Sequence, residues 1–449
     1  MYQISQNINQ DKIFIVKKSE IEGRLEPNFY RPSIATLEKK IRSLSSKRLR
    51  SYAQSFAGGA TPSKRESEKY YSDSETGVPF LRVQNLQTTG ELCLDGCIYI
   101  NEDTHNGLLK RSQVSGGDLL VKITGVGRMA IASVAPKDFV GNTNQHMVVI
   151  KTGNSAVSKY LAHYLNLDII EKIASRHSTG GTRPALDYPS LKNIPIIEGL
   201  DFSIIDNAIK AKQAKEAEAQ QLLDSIDDYL LKELGITIPN VDDELKNRIF
   251  FSSFSKIEGK RIDPIYSLYL GKNASSTEYE NISLRTVAHI VKGNALSSSD
   301  VEDGNIPVIA GGQTSPYNHS HSNYEGNIIT VSASGAYSGY VWYHDYPIYA
   351  TDCCVIYSKD ETHYMTKYLF EVLKLQQKGI YSLQTGAAQP HVYATDLQML
   401  NIPIVSIDKQ RDIVNHIADI RTKAKALQAE GKAILEDAKR KVEQMIIGE

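Results

Sequence analysis

The sequence predicts a mixed α/β protein in which two globular domains, each with an irregular and mostly antiparallel sheet and short helices, alternate with two long helices. Three observations lead to this prediction. A set of short motifs occurs twice in the same order, two long segments carry a heptad pattern, and short β-branched runs are separated by Gly, Asn, Ser and Asp. With 449 residues the chain is also long enough for two domains.

Five short motifs of the first half return in the second half in the same order. They are Arg24–Pro27 with Arg261–Pro264, Gly77–Phe80 with Asn305–Val308, Gly117–Val121 with Gly326–Thr330, Thr179–Pro184 with Thr385–Pro390, and Asn193–Ile196 with Asn401–Ile404. From Arg24 to Pro195 is 171 positions, and from Arg261 to Pro403 is 142. A shared framework with loops of different length predicts one fold that presents two different surfaces.

Short runs rich in β-branched residues predict the strands of each copy. They cover residues 78–83, 119–124 and 147–151 in the first copy, and residues 328–332, 341–343 and 355–357 in the second. Short helices are predicted at residues 160–173 and 364–377. Each directly precedes the Thr-Gly motif of its copy, which is Thr179–Pro184 in the first and Thr385–Pro390 in the second.

A long helical segment follows the Ile-Pro-Ile motif of each copy, at residues 201–234 and 406–446. Each has a stripe with alternating steps of three and four residues, which is typical of a heptad seam. The stripes are Ile205, Ala208, Lys212, Lys215, Ala219, Leu222, Ile226 and Tyr229, and then Ile413, Ile417, Ile420, Ala424, Leu427, Gly431, Ile434 and Ala438. Lys212 and Lys215 either face a partner or flank a narrow helix pair.

Neither helix can bury its stripe alone, and the repeat implies internal two-fold pseudosymmetry, so we expect the two helices to form an antiparallel coiled coil. The predicted division places the first globular domain at 1–198, the first spacer helix at 199–238, the second globular domain at 239–403, and the second spacer helix at 404–449.

The overall charge balance is nearly neutral, with a formal net charge of -1. A stand-alone, non-specific DNA-binding protein is usually basic, so any contact with DNA is expected to use local basic loops or partners that complete the surface. The N-terminus is polar and no apolar run is long enough to cross a bilayer, which predicts a cytoplasmic protein. The four cysteines are expected to be free thiols.

Motifs for catalysis or for cofactor binding are not found. Residues 125–130 fit the pattern G-x-G-x-x-A, but residues 131–136 have the composition of a strand, so a hairpin turn is favoured over a dinucleotide or S-adenosylmethionine loop. The sequence contains no Asn-Pro-Pro-aromatic tetrapeptide, no Walker A lysine loop and no Gly-x-Ser-x-Gly elbow. A metal site formed by His319, His321, Cys353 and Cys354 is one interpretation, and a polar loop is the preferred one.

The order of these features resembles the specificity (S) subunit of Type I restriction-modification systems over nearly the whole chain. The segments that carry the resemblance are residues 59–63, 77–82, 117–120, 125–128, 144–145 and 409–414, together with the Thr-Gly and Ile-Pro-Ile motifs. The second domain departs from the pattern, because Ala-Leu-Ser-Ser at 295–298 stands where Thr-Pro-Ser is expected. The first helix also lacks the Gln near its start.

The resemblance implies a non-catalytic DNA-recognition subunit. Each globular domain would be a target recognition domain that reads one half of a bipartite site in double-stranded DNA. The paired helices would set the spacing and dock two methyltransferase (modification) subunits, which bind S-adenosylmethionine, and restriction or translocase subunits would join. The alternatives are a self-contained DNA methyltransferase or nuclease, and a coiled-coil adaptor that joins proteins without a DNA role.

Base edges are read by Arg, Lys, Asn, Gln and small polar side chains on loops, so residues of these types near the repeated motifs are the candidates for DNA contact. In the first domain they are Lys64, Arg65, Lys69, Tyr70, Arg82, Gln84, Asn85, Lys122, Thr124, Arg128, Arg176, Ser178, Thr179 and Arg183. In the second domain they are Lys292, Asn294, Gln313, Thr314, Tyr317, Asn318, Ser334, Tyr337, Tyr381, Gln384, Thr385 and Gln389. Residues that differ between the copies are expected to carry the specificity.

Overall fold

The computed structural model describes residues 8–45, 47–236, 277–297, 299–386 and 388–448, together with residues 251, 253 and 254. The chain forms two compact units. The first unit comprises Met1–Lys215 and Ala429–Glu449, and the second comprises Glu216–Gln428. The second copy of the Arg-Leu-Glu-Pro motif, at 261–264, lies outside the described residues.

The first unit combines short helices with short strands. Its helices are α1 (Pro32–Leu44), α2 (Ser67–Tyr70), α3 (Glu102–Asn106), α4 (Ser155–Leu165), α5 (Asp168–His177) and α6 (Tyr188–Lys192). Its strands are β1 (Lys47–Arg48), β2 (Ser55–Gly58), β3 (Tyr71–Ser72), β4 (Val78–Leu81), β5 (Ile98–Ile100), β6 (Gln113–Ser115), β7 (Leu119–Lys122), β8 (Ala132–Val134), β9 (Val140–Thr143), β10 (Met147–Lys151) and β11 (Pro195–Ile196).

The central sheet of the first unit has the strand order β2-β10-β7-β8, and all its pairs are antiparallel. A second sheet has the order β3-β5-β4-β9-β6, in which only β4 and β9 are parallel. Strand β7 lies between two cores, because successive side chains of a strand point to opposite faces. Leu119 and Val121 pack in the core that contains Leu161 of α4, while Leu120 packs with Met147 on the other face.

The second unit repeats this arrangement. The long helix α7 (Ser203–Glu233) begins in the first unit and ends in the second. The other elements of the second unit are α8 (Leu284–Val287), α9 (Thr366–Leu375), α10 (Gln377–Tyr381), α11 (Ala394–Leu397), β12 (Asn281–Ser283), β13 (Ala288–Lys292), β14 (Ile306–Ile309), β15 (Asn318–His319), β16 (Ile328–Ser332), β17 (Val341–His344), β18 (Tyr349–Ala350), β19 (Cys353–Ser358) and β20 (Asn401–Pro403). The long helix α12 (Ile407–Ile447) begins in the second unit and ends in the first.

The central sheet of the second unit has the order β13-β19-β16-β17, which is the order of the first unit with each strand replaced by its repeat equivalent. A parallel pair recurs as well, because β14 lies beside β18 as β4 lies beside β9. A short antiparallel pair recurs in the same way, since β12 pairs with β20 as β1 pairs with β11. The predicted mixed α/β class with mostly antiparallel sheets is therefore confirmed.

The two long helices contribute to the cores of both units. In the first unit, Ile205 and Ala208 of α7 share a core with Leu435 and Ala438 of α12. In the second unit, Ile226 and Leu230 of α7 pack in the core that contains Ile413 and Ile417 of α12. Most of the predicted stripe positions are accordingly buried. Among the residues that the structure describes, no helix is both long and apolar enough to cross a membrane.

One predicted helix is interrupted in the structure. The segment 160–173 is divided between α4 and α5, with Asn166 and Leu167 outside both helices. The Asn166 side chain forms two hydrogen bonds with the backbone of Ala132 in β8, donating to its oxygen at 2.7 Å and accepting from its nitrogen at 3.2 Å. This contact with a distant strand stabilises the break between the helices.

Candidate nucleic-acid interface

A hairpin projects from the central sheet of each unit. In the first unit β7 and β8 pair antiparallel around Gly125 and Gly127, whose φ angles are +118° and +80°. Positive φ is readily adopted by glycine, which permits the tight turn. Val126 at the tip is 79% exposed. The G-x-G-x-x-A segment is thus a hairpin turn, as predicted, and no helix follows it to receive a phosphate.

The Thr-Gly loop of the first unit closes on itself and attaches to this hairpin. Thr179 and Ala185 donate to each other's backbone oxygen, at 2.8 Å in both directions. The backbone nitrogen of Gly125 then donates to the oxygen of Pro184 at 3.0 Å. Two loops that are far apart in the sequence are therefore held side by side.

The second unit has the same hydrogen bonds at the equivalent positions. Thr385 and His391 donate to each other's backbone oxygen at 2.9 and 2.8 Å, and Gly335 N donates to Pro390 O at 3.0 Å. Because backbone groups form these bonds, the arrangement does not depend on which side chains the loops carry.

A third loop lies beside the other two. It directly precedes β10 in the first unit and β19 in the second. In the first unit, Ile123 N donates to His146 O at 2.9 Å, and Leu186 N donates to Ile123 O at 2.8 Å. The second unit repeats both bonds between Ala333 and Asp352 and between Val392 and Ala333, at 3.2 and 3.1 Å. We call residues 122–126, 145–146 and 179–186 the first corner, and residues 332–336, 351–352, 385–386 and 388–392 the second corner.

The exposed charged side chain of the first corner is cationic. The exposed Arg183 places Nη2 3.4 Å from Nε2 of His146. Burial, and then the charge of Arg183, lower the pKa of His146. The lowered pKa favours the neutral imidazole, which has a nitrogen able to accept from the guanidinium.

The exposed charged side chain of the second corner is anionic. Asp352 is exposed and accepts a hydrogen bond from the hydroxyl of Ser334. Gln389, the counterpart of Arg183, is also exposed, and Tyr337 at the hairpin is 48% exposed. The acceptor oxygens of a carboxylate thus stand where the first corner has an imidazole.

The structure brings part of the predicted set together. Thr124, Thr179 and Arg183 meet in the first corner, and Ser334, Thr385 and Gln389 meet in the second. Further predicted residues are exposed on other loops and strand ends, namely Lys64, Arg65, Lys69, Gln84, Lys292, Asn294, Gln313, Thr314, Tyr317 and Asn318. Tyr70 is half-buried, and the ammonium of Lys69 lies 5.1 Å from the centre of its ring. Sequence reasoning missed His146 and Asp352.

Two predicted DNA-contacting side chains are buried, and their prediction is corrected. Asn85 is 0% exposed, accepts a hydrogen bond from the backbone of Arg82 and donates to the oxygen of Cys93. Lys122 is 3% exposed, and its ammonium donates to the oxygen of Val126 at 2.7 Å. Both side chains stabilise turns instead of reaching a ligand.

Two predicted arginines are engaged in the packing of the first unit. Arg128 is paired with Asp168 at the start of α5 and donates to Asn166 O at 2.6 Å. Arg176 is paired with the buried Glu38, and its guanidinium lies 4.3 Å from the centre of the Phe29 ring.

Several other predicted side chains also bond to the backbone of their own unit. Arg82 donates to Gly96 O at 3.0 Å, Ser178 donates to Ala174 O at 3.0 Å, and Gln384 donates to Ser338 O at 2.7 Å. Tyr381, at the end of α10, is half-buried. These residues support the loops from below.

The candidate metal ligands of the second unit are not arranged as a metal site. Cys353 and Cys354 are buried in β19, and burial raises the pKa of their thiols to about 12 and about 11. Within the described ranges, no three His, Cys, Asp or Glu side chains are grouped closely enough to hold a metal ion.

Comparison with known protein families gives a match to both copies. Residues 46–197 and 276–436 match the family model described as Type I restriction modification DNA specificity domain. Together these segments cover more than half of the chain. No curated protein matches the chain.

Solved structures that are similar to this chain include two S subunits. The S subunit from M. genitalium is 15% identical, with 87% of this chain and 95% of that chain covered and a TM-score of 0.38. The HsdS subunit from Thermoanaerobacter tengcongensis is 15% identical, with 89% and 95% covered and a TM-score of 0.35. A chain from a structure on assembly and conformational transition of the type I R-M system is 16% identical, with 89% and 95% covered and a TM-score of 0.44.

Proposed function

The chain belongs to the Type I restriction-modification DNA specificity family and is a DNA sequence-specificity subunit, and we propose that each of its two units reads one half of a bipartite site in double-stranded DNA. The observation that carries this proposal is the duplicated corner. The same backbone hydrogen bonds present a cationic surface in the first unit and an acceptor-rich surface in the second. Two unlike surfaces on one frame fit two unlike half-sites.

We propose that α7 and α12 form an antiparallel coiled coil that sets the spacing between the half-sites. In the first unit, a Cβ added to Gly431 would lie 3.3 Å from Lys212 Cα, so the backbones of the two helices approach closely. In the second unit, the rings of Tyr229 and His416 lie 4.1 Å apart. The start of each helix thus packs near the end of the other, which supports opposite directions.

The catalytic step is proposed to belong to partner subunits. Two methyltransferase subunits would dock on the helices and bind S-adenosylmethionine, and restriction or translocase subunits would complete a nuclease. The proposed division is two target recognition domains at 1–198 and 239–403, with spacer helices at 199–238 and 404–449. A cytoplasmic location follows from a substrate that is cellular DNA.

Methylation mapping with an exchanged domain tests this proposal. The full chain is co-expressed with its methyltransferase subunit, and N6-methyladenine is located across the host DNA by sequencing. We expect one bipartite motif, and replacement of residues 60–190 by the segment of another family member should change one half of it only. Replacement of residues 277–403 is the matched control and should change the other half.

Three results would contradict the proposal. A change in both halves, or in neither, after the first exchange would show that the units do not read separate half-sites. Methylation by the purified chain alone would support a self-contained enzyme. Absence of salt-dependent DNA binding by the assembled complex would support an adaptor without a DNA role.

A further inference from the structure

The repeated hydrogen bonds align the two corners residue by residue. Each hydrogen bond joins the same pair of backbone positions in both units. Side chains at aligned positions therefore branch from equivalent points of the backbone. At two of the aligned positions, a basic side chain of the first corner is replaced by an acidic or an amide side chain in the second. His146 corresponds to Asp352, and Arg183 corresponds to Gln389.

The first corner offers hydrogen-bond donors. Arg183 carries five N–H groups in a planar fork, and only one nitrogen of that fork lies near His146 Nε2. Nδ1 of His146 is buried and has no hydrogen-bond partner within the described residues. With Nε2 as the acceptor, His146 restrains one side of the guanidinium, and the other N–H groups of the exposed Arg183 can donate to a ligand.

The second corner offers hydrogen-bond acceptors. Ser334 engages Oδ2 of Asp352, which leaves Oδ1 of this exposed carboxylate able to accept from a ligand. Gln389 adds an amide that can accept and donate together. The formal charge at these two positions is therefore positive in the first corner and negative in the second.

The edges of the base pairs in the major groove discriminate between these two sets. Guanine presents two acceptors, O6 and N7, which suit the fork of an arginine. Adenine and cytosine present an exocyclic amino group, which donates to a carboxylate or to a glutamine oxygen. Each corner is thus complementary to a different class of base.

We propose that these aligned positions determine which base each unit reads. Arg183, positioned by His146, reads a guanine in the first half-site. Asp352 and Gln389 read a base that carries an exocyclic amino group in the second half-site. This inference rests on the proposed function, since it assumes that each unit reads DNA.

The frame makes these side chains suited to the role. The loops that carry them are tied together by backbone bonds in both units, so little further ordering is needed when DNA binds. The buried candidates Asn85 and Lys122 lack this access because their polar atoms already bond to the backbone.

The test uses the full chain assembled with its methyltransferase subunits and a random DNA library. Sequences that bind are selected and counted for the unmodified complex and for the variants Arg183→Gln and Asp352→Asn. We expect Arg183→Gln to lower the preference for guanine at one position of the first half-site roughly 10- to 100-fold, and to leave the second half-site unchanged. Asp352→Asn should do the converse at one position of the second half-site.

Matched controls separate base reading from loss of charge. Lys39→Gln removes one exposed positive charge from α1, and Asp303→Asn removes one exposed negative charge from the loop before β14. Neither control should alter a base preference. The half-site that a variant leaves unchanged also reports that the protein is folded.

The role of His146 has its own readout. His146→Gln keeps an acceptor for Arg183 and should retain the guanine preference, whereas His146→Leu should reduce it without changing the second half-site. Equal behaviour of the two variants would remove His146 from the proposal.

The possible failures are distinguishable. If the unmodified complex selects no motif, the proposed function and this inference both fail. If it selects a bipartite motif, and Arg183→Gln weakens binding to all sequences equally, then Arg183 contacts phosphate. The inference is then overturned while the proposed function stands.

Discussion

The Thr-Gly loops of the two units are closed by the same backbone hydrogen bonds, but the residues that precede them pack differently in the two units. In the first unit, Arg176 and His177 at the end of α5 bind the carboxylate of Glu38 in α1. The position equivalent to His177 in the second unit is Leu383, which is fully buried in the apolar core. The backbone hydrogen bonds therefore fix the conformation of the Thr-Gly loop in both units. The side-chain contacts that hold the loop to its unit are ionic in the first copy and apolar in the second.

The largest expected effect concerns the contact between a long helix and the helix that covers the central sheet of each unit. In the second unit these helices are α12 and α9. In the second unit, Glu371 of α9 is 1% exposed, and both of its oxygens accept from Arg421 of α12, at 2.5 and 2.7 Å. Arg421→Ala leaves a buried carboxylate without its partner, and should lower the free energy of unfolding of this unit by about 3–5 kcal/mol. Fluorescence of Trp342, the single tryptophan, measures this during urea unfolding.

The first unit makes the corresponding attachment with a more exposed group. Asp206 of α7 is 33% exposed at its side chain and accepts from His163 at 2.9 Å and from Lys159 at 2.8 Å. Asp206→Asn should therefore destabilise less than Arg421→Ala. Arg411→Ala, on the same helix as Arg421 and paired only with Asp408 at the surface, is the control and should have almost no effect. Equal losses for Arg421→Ala and Arg411→Ala would contradict this account.

The ionic support of the first unit gives it a characteristic pH dependence. Burial would raise the pKa of Glu38, but the hydrogen bond and charge of His177, together with Arg176 and Arg42, lower it from 4.5 to about 2. A lowered pKa of this carboxylate stabilises the folded state above pH 4.5, and the contribution, roughly 3 kcal/mol, is lost as the pH falls towards 2. Glu38→Gln should be less stable at pH 7 and should show a smaller further loss on acidification.

Hydrogen exchange of peptides from α1 and α5, followed by mass spectrometry between pH 7 and pH 3, measures this loss after correction for the intrinsic exchange rate. Glu66→Gln, at an exposed position of the same unit, is the control. An unchanged pH profile in Glu38→Gln would show that the Glu38 cluster does not support the loop.

The second unit should respond to acid at a higher pH through His344. Burial lowers the pKa of this histidine from 6.5 to about 4. The folded state resists protonation, so stability declines as the pH falls from 6.5 to about 4, again by roughly 3 kcal/mol. The first unit also contains two histidines whose pKa is lowered by burial, His163 and His146, so the contrast must be measured on variants.

The variant His344→Gln can keep a hydrogen bond to Thr330, which lies 2.8 Å from the imidazole. It should flatten the pH dependence of the Trp342 signal between 6.5 and 4, because the tryptophan ring lies 4.7 Å from His344. An effect of this variant on the α1 and α5 peptides equal to its effect on Trp342 would contradict separate responses of the two units.

The repeat and the local strand signals are the parts of the fold that sequence could predict. The strands at Met147–Lys151 and Ile328–Ser332 have the predicted bounds, since runs of β-branched residues are local signals. The exposure of Arg183 and Gln389 on the Thr-Gly loops also agrees with expectation, because polar side chains on a loop that follows a helix are commonly solvated.

The parts that sequence could not predict depend on contacts between distant residues. The break in the helix at Asn166 depends on hydrogen bonds to the backbone of Ala132. The burial of Lys122 depends on the hairpin turn, which places Val126 O where it accepts from the ammonium group of Lys122. His146 and Asp352 could not be ranked, because their backbone oxygens meet the hairpin only after the sheet has formed. Their position directly before the central strands was the available signal.

The prediction with the smallest expected effect tests how far the hydrogen-bonding pattern shared by the two units extends. Tyr164 of α4 and Tyr368 of α9 are both fully buried, and their hydroxyls donate to Pro195 O at 2.9 Å and Pro403 O at 2.8 Å. These bonds connect the helix to the repeated Ile-Pro-Ile strand in each unit. Tyr→Phe at either position removes one hydrogen bond without changing the packing, and should cost about 1 kcal/mol in its own unit.

Equality of the two losses is the informative result, because the geometry is the same while the surrounding charges differ. Hydrogen exchange of peptides that contain β11 and β20 measures each loss locally. Tyr337→Phe, at an exposed position, is the control and should cost nothing measurable. A loss in one unit that is more than twice the loss in the other would mean that the two copies share their backbone topology but not the energetics of their frame.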